Sequence, residues 1–162
     1  MSAAELAVAR AIAAAVCDPE IPVLNLDDLG VLRDVRRGED GAIEVDITPT
    51  YSGCPALEVM RADIQRALRA QGYGQVRVHT VLAPAWTTDW MSPEGRRKLR
   101  EYGISPPGPV VTGGRCAGSG EVTCPQCASP HTTELSHFGS TPCKALFRCG
   151  GCREPFDHFK PH

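Results

Sequence analysis

The chain has 162 residues, of which 42% are hydrophobic and 22% are charged, and its formal net charge is −2 at pH 7. This length and composition are typical of a soluble protein with one or two domains. The near-neutral charge gives no basic surface for nucleic acid, and no apolar run is long enough to cross a membrane.

A helix is predicted over residues 2–17, where Val8, Ile12 and Val16 are spaced four residues apart on one side. This stretch resembles a signal peptide only superficially, because it lacks a basic start and charged residues interrupt its apolar part. We therefore expect a helix in a mature cytoplasmic protein. The following segment, CDPEIP, ends this helix, since each proline disfavours helical geometry in the residue before it.

Two strands around a Gly/Asp turn are predicted next, within residues 24–48. Apolar and polar residues alternate in the second strand, so one of its faces is buried. The clearest helix begins at Pro55, ends near Gly72 and is followed by the strand QVRVHTVL. The apolar stripe of this helix consists of Leu57, Met60, Ile64, Ala67 and Leu68.

The order α-β-β-α-β predicts an α+β fold, with a small sandwich domain over residues 1–104. Within it, a short helix is predicted over residues 93–102, with Ser92 as its cap. Residues 105–120 are rich in proline and glycine and are predicted to form a linker. Residues 121–162 form the second domain, a four-cysteine ribbon.

Two C-x-x-C pairs, CPQC and CGGC, mark this second domain. Each pair presents two sulfurs from one turn, and two pairs complete a tetrahedron around a metal ion that accepts soft ligands. Zinc is the favoured metal, and a mononuclear iron or an iron–sulfur cluster is the alternative. A site closed by four thiolates has no open position, so its role is structural and the domain is a zinc ribbon. The predicted ligands are Cys124, Cys127, Cys149 and Cys152.

The chain has eight cysteines, and nothing in it directs export, so reduced thiols are expected. Cys17 and Cys143 are interpreted as packing residues, with a partner or transient metal contact as the alternative for Cys143. Cys116 lies in the predicted linker as an exposed thiol. Surface or interface positions are expected for the histidines near the C-terminus, which lack paired spacing: His131, His137, His158 and His162.

Cys54 lies directly before the clearest helix, where free amide groups and the helix dipole favour an anion. This position predicts a lowered thiol pKa and a thiolate that can act as nucleophile or metal ligand. Asp18 and Glu20 lie on another loop that can reach the same end of the sheet. Hydroxyl groups on the approach to Cys54 come from Thr48, Thr50 and Ser52. The alternative is a buried capping cysteine.

The segments DPEIPVLNLDDLGVLRDV and ITPTYSGCPALEVM resemble the small domain of SufT-type iron–sulfur assembly factors and of eukaryotic cytosolic maturation proteins. The resemblance covers about residues 5–82. It matches Asp18 and Glu20 to the acidic loop of that domain, and Thr48 and Cys54 to its threonine and cysteine motif. It implies that Cys54 handles iron or a cluster transiently.

With the segment HFGSTPCKALFRCGGCREPFDHFKPH added, nearly the whole chain resembles the family of the D component, also called the J component, of bacterial phenylacetyl-CoA epoxidase. This resemblance implies a cytoplasmic role in aerobic phenylacetate breakdown, with the oxygenase and reductase components as partners. The oxygenase of that pathway carries a di-iron centre, and its reductase carries an iron–sulfur cluster and flavin.

The chain itself lacks the Glu-x-x-His pairs of di-iron bundles and a G-x-G-x-x-G dinucleotide loop. We therefore expect a non-catalytic component of a multicomponent monooxygenase. An accessory protein that delivers iron or a cluster and a structural adaptor that docks through its ribbon are the main alternatives. A thiol enzyme is the third, but His79 is the only histidine of the first domain and no substrate signature accompanies it.

Overall fold

The computed structural model describes residues 2–51, 53–110 and 122–162. Helices and strands alternate in its first part and strands dominate its last part, so the predicted α+β class is confirmed. The chain divides into two units, residues 1–86 and 87–162. Of the helices described, none has the length and apolar character needed to span a bilayer.

The first unit has the predicted element order with one addition. Its strands form one sheet in the order β1 (Leu32–Arg37), β2 (Ile43–Ile47) and β3 (Val76–Thr80), in which β1 and β2 are antiparallel and β2 and β3 are parallel. A parallel pair needs a crossover connection, which here contains the third helix. The elements are α1 (Ala3–Ala14), α2 (Leu26–Leu29), β1 (Leu32–Arg37), β2 (Ile43–Ile47), α3 (Ala56–Ala70) and β3 (Val76–Thr80).

The additional element, α2, replaces the start of the predicted first strand. The Asn25 side chain accepts a hydrogen bond from the Asp28 amide at 2.7 Å, and the Asp28 carboxylate accepts one from the Asn25 amide at 3.1 Å. This reciprocal cap stabilises a single helical turn. Gly30 ends the turn with a left-handed φ of 69°, which glycine adopts without steric cost. The chain then extends into β1.

The core of the first unit lies between the sheet and its helices. From α3, the residues Ala56, Met60, Ile64 and Leu68 are buried, which agrees with the predicted stripe except at half-buried Leu57 and Ala67. In α1 the predicted face is wrong: Ala9 and Ala13 are buried, whereas Val8 is 54% exposed. Small alanine side chains let a helix backbone approach its neighbours closely, and this favours the alanine face over the valine face.

The second unit begins earlier than the predicted boundary at residue 104. Its sheet has the order β4 (Ile104–Ser105), β7 (Pro155–Phe159), β6 (Lys144–Cys149) and β5 (Thr132–Ser136). Because β4 pairs in parallel with β7, Ile104 and Ser105 belong to the ribbon sheet. The predicted linker at 105–120 lies mostly within residues 111–121, outside the described residues. The elements are a 3₁₀ turn (Thr88–Trp90), α4 (Pro93–Glu101), β4 (Ile104–Ser105), β5 (Thr132–Ser136), β6 (Lys144–Cys149) and β7 (Pro155–Phe159).

The helix α4 has the predicted cap, because the Ser92 hydroxyl accepts a hydrogen bond from the Gly95 amide at 2.9 Å. The ribbon itself has a small core in which two of its paired cysteines are packed among apolar residues. The members of this cluster are Val122, Cys124, Ala145, Phe147, Cys149 and Phe156. A core of this size gives limited stability alone, so the ribbon depends on a further constraint.

Candidate metal centre and thiol site

Two turns of the ribbon bring four cysteine sulfurs together. The ligand atoms of Cys124, Cys127, Cys149 and Cys152 all lie within 4.8 Å of one another. The Sγ atoms are 3.7 Å apart for Cys124 and Cys152, and 3.5 Å apart for Cys127 and Cys149. Four sulfurs at ~2.3 Å from a central zinc ion would be separated by ~3.8 Å. The arrangement therefore fits a tetrahedral metal ion and brings all four predicted ligands into one site.

Each turn ends in a residue with left-handed backbone. Ala128 directly follows Cys127 and has a φ of 58°, and Arg153 directly follows Cys152 and has a φ of 68°. In the first turn, the Ala128 amide donates to the Cys124 carbonyl at 2.9 Å. Residues with a Cβ atom rarely adopt this conformation, which costs ~1 kcal/mol. The turn geometry was not predicted, since neither alanine nor arginine favours a positive φ.

The second turn requires its two glycines because its backbone lies close to the residues that follow the first turn. The Gly150 amide donates to the His131 carbonyl at 2.7 Å, and a Cβ atom on Gly150 would lie 3.1 Å from that oxygen. A Cβ atom on Gly151 would lie 3.2 Å from the Ser129 Cβ atom. Because glycine has no Cβ atom, the backbones of the two turns can pack against each other.

Amide groups of the second turn also favour a thiolate at Cys149. The Cys152 amide donates to the Cys149 sulfur at 3.4 Å, and the Gly151 amide donates to it at 3.3 Å. These bonds, the one from Cys152 foremost, lower the pKa of Cys149. The second turn therefore favours the thiolate form of Cys149, which is the form that binds a metal ion.

We expect Arg153→Gly to stabilise the metal-loaded ribbon by ~0.5–1 kcal/mol, because glycine removes the cost of the left-handed backbone and adds only a little unfolded-state entropy. Denaturant unfolding at fixed metal concentration measures this change. Gly150→Ala is the matched control and should destabilise the ribbon, since its methyl group would crowd the His131 carbonyl. A less stable Arg153→Gly variant would contradict the interpretation of this turn.

Cys54 lies where the sequence predicts it, two residues before the start of α3. The environment of its sulfur, however, differs from the predicted one. The residue is only 8% exposed. Burial raises the pKa of the Cys54 thiol, and the nearby Glu20 and Asp18 carboxylates raise it further, outweighing the Ala56 amide and the Thr50 hydroxyl. The predicted lowered pKa is therefore wrong. The helix start supplies only one amide, and the surroundings favour the protonated thiol.

The acidic loop is close enough to Cys54 to act on its charge, as the sequence suggested. Asp18 is buried, and its Oδ1 atom accepts hydrogen bonds from the Glu20 amide at 2.8 Å and the Ile21 amide at 2.7 Å. Asp18 thus shapes the loop as well as charging it. Aspartate before proline is a common start for such a turn, so this role could have been predicted.

Thr48 directly follows β2 and is 2% exposed. Its amide donates to the Val31 carbonyl at 2.9 Å, while its hydroxyl has no hydrogen-bond partner among the described residues. A buried hydroxyl without a partner is costly and uncommon. Thr48 shares this feature with Thr80 and with one carboxylate oxygen of Asp46, so the free hydroxyl does not by itself mark a binding site. Ser52, the other predicted hydroxyl nearby, lies outside the described residues.

The remaining cysteines and histidines do not form a second metal cluster within residues 2–51, 53–110 and 122–162. Cys143 is buried with its sulfur 3.0 Å from the Thr141 hydroxyl, whereas Cys17 is exposed, contrary to its predicted packing role. Cys116 lies outside the described residues. His131 and His137 are exposed, as predicted, but His158 is buried with Nδ1 3.2 Å from the Ser105 carbonyl.

His79 gives no support to a cysteine–histidine enzyme. It is exposed on β3, next to buried Val78, and faces away from the core side of the sheet. Since side chains alternate between the faces of a strand, His79 and the buried residues of α3 lie on opposite sides of the sheet. Cys54 lies just before that helix, so a base for its thiol is not provided from this strand.

Two family models match the chain in separate parts. Residues 6–80 match the iron–sulfur cluster assembly protein family, and residues 109–160 match the PaaD zinc beta ribbon domain. The first match contains Cys54 and the acidic loop, and the second contains all four ribbon cysteines.

One similar protein matches most of the chain, whereas others match only about half of it. Over 145 residues, the chain is 54% identical to the putative D component of 1,2-phenylacetyl-CoA epoxidase of Escherichia coli, covering 88% of this chain and 85% of that protein. It is 36% identical over 85 residues to an Fe-S protein maturation auxiliary factor of Porphyromonas gingivalis, covering 52% and 80% respectively. A crystal structure of a DUF59 domain from Bacillus anthracis is 26% identical with a TM-score of 0.54, covering 59% of this chain and 92% of that one.

Proposed function

The chain belongs to the family of the D component of 1,2-phenylacetyl-CoA epoxidase, and from this we propose that it is an accessory protein that delivers iron or an iron–sulfur cluster to the oxygenase or its reductase. The observation that carries the proposal is the position of Cys54. This single thiol lies beside two carboxylates in the part that matches iron–sulfur assembly proteins.

The electrostatics of Cys54 suit transient binding. A cysteine binds a metal as thiolate, so protons compete with the metal, and a raised thiol pKa strengthens that competition. Burial and the charges of Asp18 and Glu20 both raise the pKa of Cys54. Incoming iron neutralises these carboxylates while displacing the thiol proton. Reprotonation then favours release to a partner with more ligands.

We propose that the ribbon site holds one zinc ion in a structural role. Its four thiolates occupy every position of a tetrahedron, so neither water nor substrate can reach the ion as a ligand. Because this site has no open position and the sequence lacks di-iron and dinucleotide motifs, we expect no oxidation by the protein alone and an effect on phenylacetate breakdown only through its partners. The seven cysteines described are all free thiols, which suits a reducing cytoplasm.

A structural adaptor is the second candidate, and one observation favours it. Leu135 and Phe138 of the ribbon are 54% and 65% exposed. The Lys160 ammonium group lies 4.5 Å from the centroid of the Phe138 ring and makes a cation–π contact with it. Exposed apolar side chains favour contact with a partner protein. Under this alternative the ribbon docks to the oxygenase and Cys54 is dispensable.

Cys54→Ala separates the two candidates. We expect the variant to fold and to keep its zinc, because alanine removes one sulfur near the end of the core, but to lose support of phenylacetyl-CoA oxidation. The measurement is growth of a deletion strain on phenylacetate, together with the iron content of the oxygenase and reductase purified from it. Cys17→Ala, which changes an exposed thiol of the same unit, is the matched control.

Full growth with Cys54→Ala would favour the adaptor and refute metal delivery. Alkylation gives a second test of the same site. Because Cys54 is buried and its pKa is raised, iodoacetamide should label it more slowly than Cys17 in the native protein. A Cys54 that reacts as fast as Cys17 would contradict the described environment.

A further inference from the structure

The four cysteines of the ribbon site differ in their exposure to solvent. Cys124 and Cys149 are 2% and 1% exposed, and we call their sulfurs the inner sulfurs. Cys127 and Cys152 are exposed, and we call theirs the outer sulfurs. Each turn therefore contributes one inner and one outer sulfur.

The four sulfurs are expected to differ in reactivity through their exposure, since metal binding gives all four the same protonation state. A bound zinc ion holds all four as thiolates, and thiolates are the nucleophilic form of cysteine. The inner sulfurs are packed in the ribbon core beside Phe147 and Phe156. Cys149 is also covered by the two amide hydrogen bonds of its own turn. An oxidant in solution thus reaches the outer sulfurs first.

Each outer sulfur has an inner sulfur from the other turn at contact distance. The Sγ atoms of Cys127 and Cys149 are 3.5 Å apart, and those of Cys152 and Cys124 are 3.7 Å apart. A disulfide forms when a thiolate attacks an oxidised sulfur. The geometry thus pairs the sulfur of each exposed cysteine with that of a buried cysteine no more than 3.7 Å away.

We propose that Cys127 and Cys152 are oxidation sites for hydroperoxides, and that their oxidation releases the metal ion. An outer thiolate attacks the peroxide, its sulfur is oxidised to a sulfenic acid, and the O–O bond breaks to release hydroxide, or alkoxide from an organic peroxide. The inner thiolate of the opposite turn attacks the sulfur of this sulfenic acid, forms the S–S bond and expels its hydroxyl group as hydroxide. Two thiolates thus lose two electrons, and the peroxide is reduced.

Oxidation of one pair removes two of the four metal ligands. The two remaining thiolates hold zinc much more weakly than a complete tetrahedron, so the ion leaves. The new disulfide joins the two turns across the site instead of closing a loop within one turn. A thiol reductant reverses the reaction, and zinc can then bind again.

The test uses the full chain loaded with zinc, and this inference rests on the zinc proposed above. Zinc content is measured first, and its absence would refute the zinc assignment itself. The loaded protein is then titrated with hydrogen peroxide while a metallochromic indicator reports free zinc. Mass spectrometry of digested samples identifies the disulfides. We expect zinc release as the first disulfide forms, with Cys127–Cys149 and Cys124–Cys152 as the products.

Brief alkylation of the loaded protein tests the exposure argument independently of oxidation. We expect the outer sulfurs to react about tenfold faster than the inner sulfurs. The variant Cys127→His keeps a zinc ligand while removing one outer sulfur, and it should retain zinc and lose the Cys127–Cys149 product. Cys143→Ser, which changes a buried cysteine outside the metal group, should behave as the wild type. Equal labelling of all four sulfurs, disulfides within each C-x-x-C pair, or zinc retention after oxidation would overturn the proposal.

Discussion

Cys149→Ser is expected to unfold the ribbon, residues 122–162, while the first unit stays folded. Structural zinc supplies ~10–16 kcal/mol of apparent binding free energy to a small metal-binding domain, more than its core provides. Cys149 is itself part of that core and is 1% exposed. Its replacement therefore removes a metal ligand and leaves a polar hydroxyl among apolar side chains. Cys127→Ser should act in the same direction, through the loss of the ligand alone.

Hydrogen exchange resolved by peptide measures this result, because it reports on the two units separately. Metal analysis of the same samples should give about one zinc ion per wild-type chain, as four thiolates bind one ion. Cys143→Ser is a suitable control, since it changes a buried cysteine of the ribbon that is not a ligand. The interpretation fails if Cys149→Ser retains protected ribbon amides, or if wild-type protein binds no metal.

Division of the chain between residues 86 and 87 is expected to abolish growth on phenylacetate even when both fragments fold. The cut follows the structure: the Trp86 indole donates to the Leu29 carbonyl at 2.9 Å in the first unit, and the Thr87 hydroxyl donates to the His162 carbonyl at 2.7 Å in the second. If each unit contacts the same partner, a covalent link raises the effective concentration of the second contact to ~mM. Separate fragments lose this gain.

Complementation of a deletion strain provides the assay. The two fragments are expressed separately, and circular dichroism of each purified fragment establishes that it folds. Rejoining them through a flexible Gly/Ser segment is the matched control and should restore growth, since it restores the tether without the native peptide bond. Full growth with unlinked fragments would refute the tethering hypothesis, while loss of growth with the rejoined chain would show that the cut itself is harmful.

The sequence was most informative for features that depend on residues close together in the chain. The four ribbon cysteines could be grouped because each pair lies within one turn, and α3 could be predicted because its apolar residues have a strong helical period. Ser92 likewise identified the start of α4, three residues from the amide that it caps.

Features that depend on distant packing could not be predicted. In α1 the valine spacing indicated one face, but close packing buried Ala9 and Ala13 instead. For Cys54, a local rule about helix starts predicted a thiolate, whereas burial and the acidic loop raise its pKa. The start of the second unit could not be predicted for the same reason. Because β4 is only two residues long, it is assigned to the ribbon only by its pairing with β7, which is distant in sequence.

The pairing of β4 with β7 bears on how this ribbon can be cut out or fused to other proteins. A fragment starting at residue 109, where the ribbon family model begins, would lack β4 and leave β7 as an outer strand with unpaired backbone groups. His158 would also lose the Ser105 carbonyl that its ring contacts. Exposed strand edges promote aggregation between chains. A portable form of the ribbon therefore starts at residue 87 and carries α4 and β4 with it.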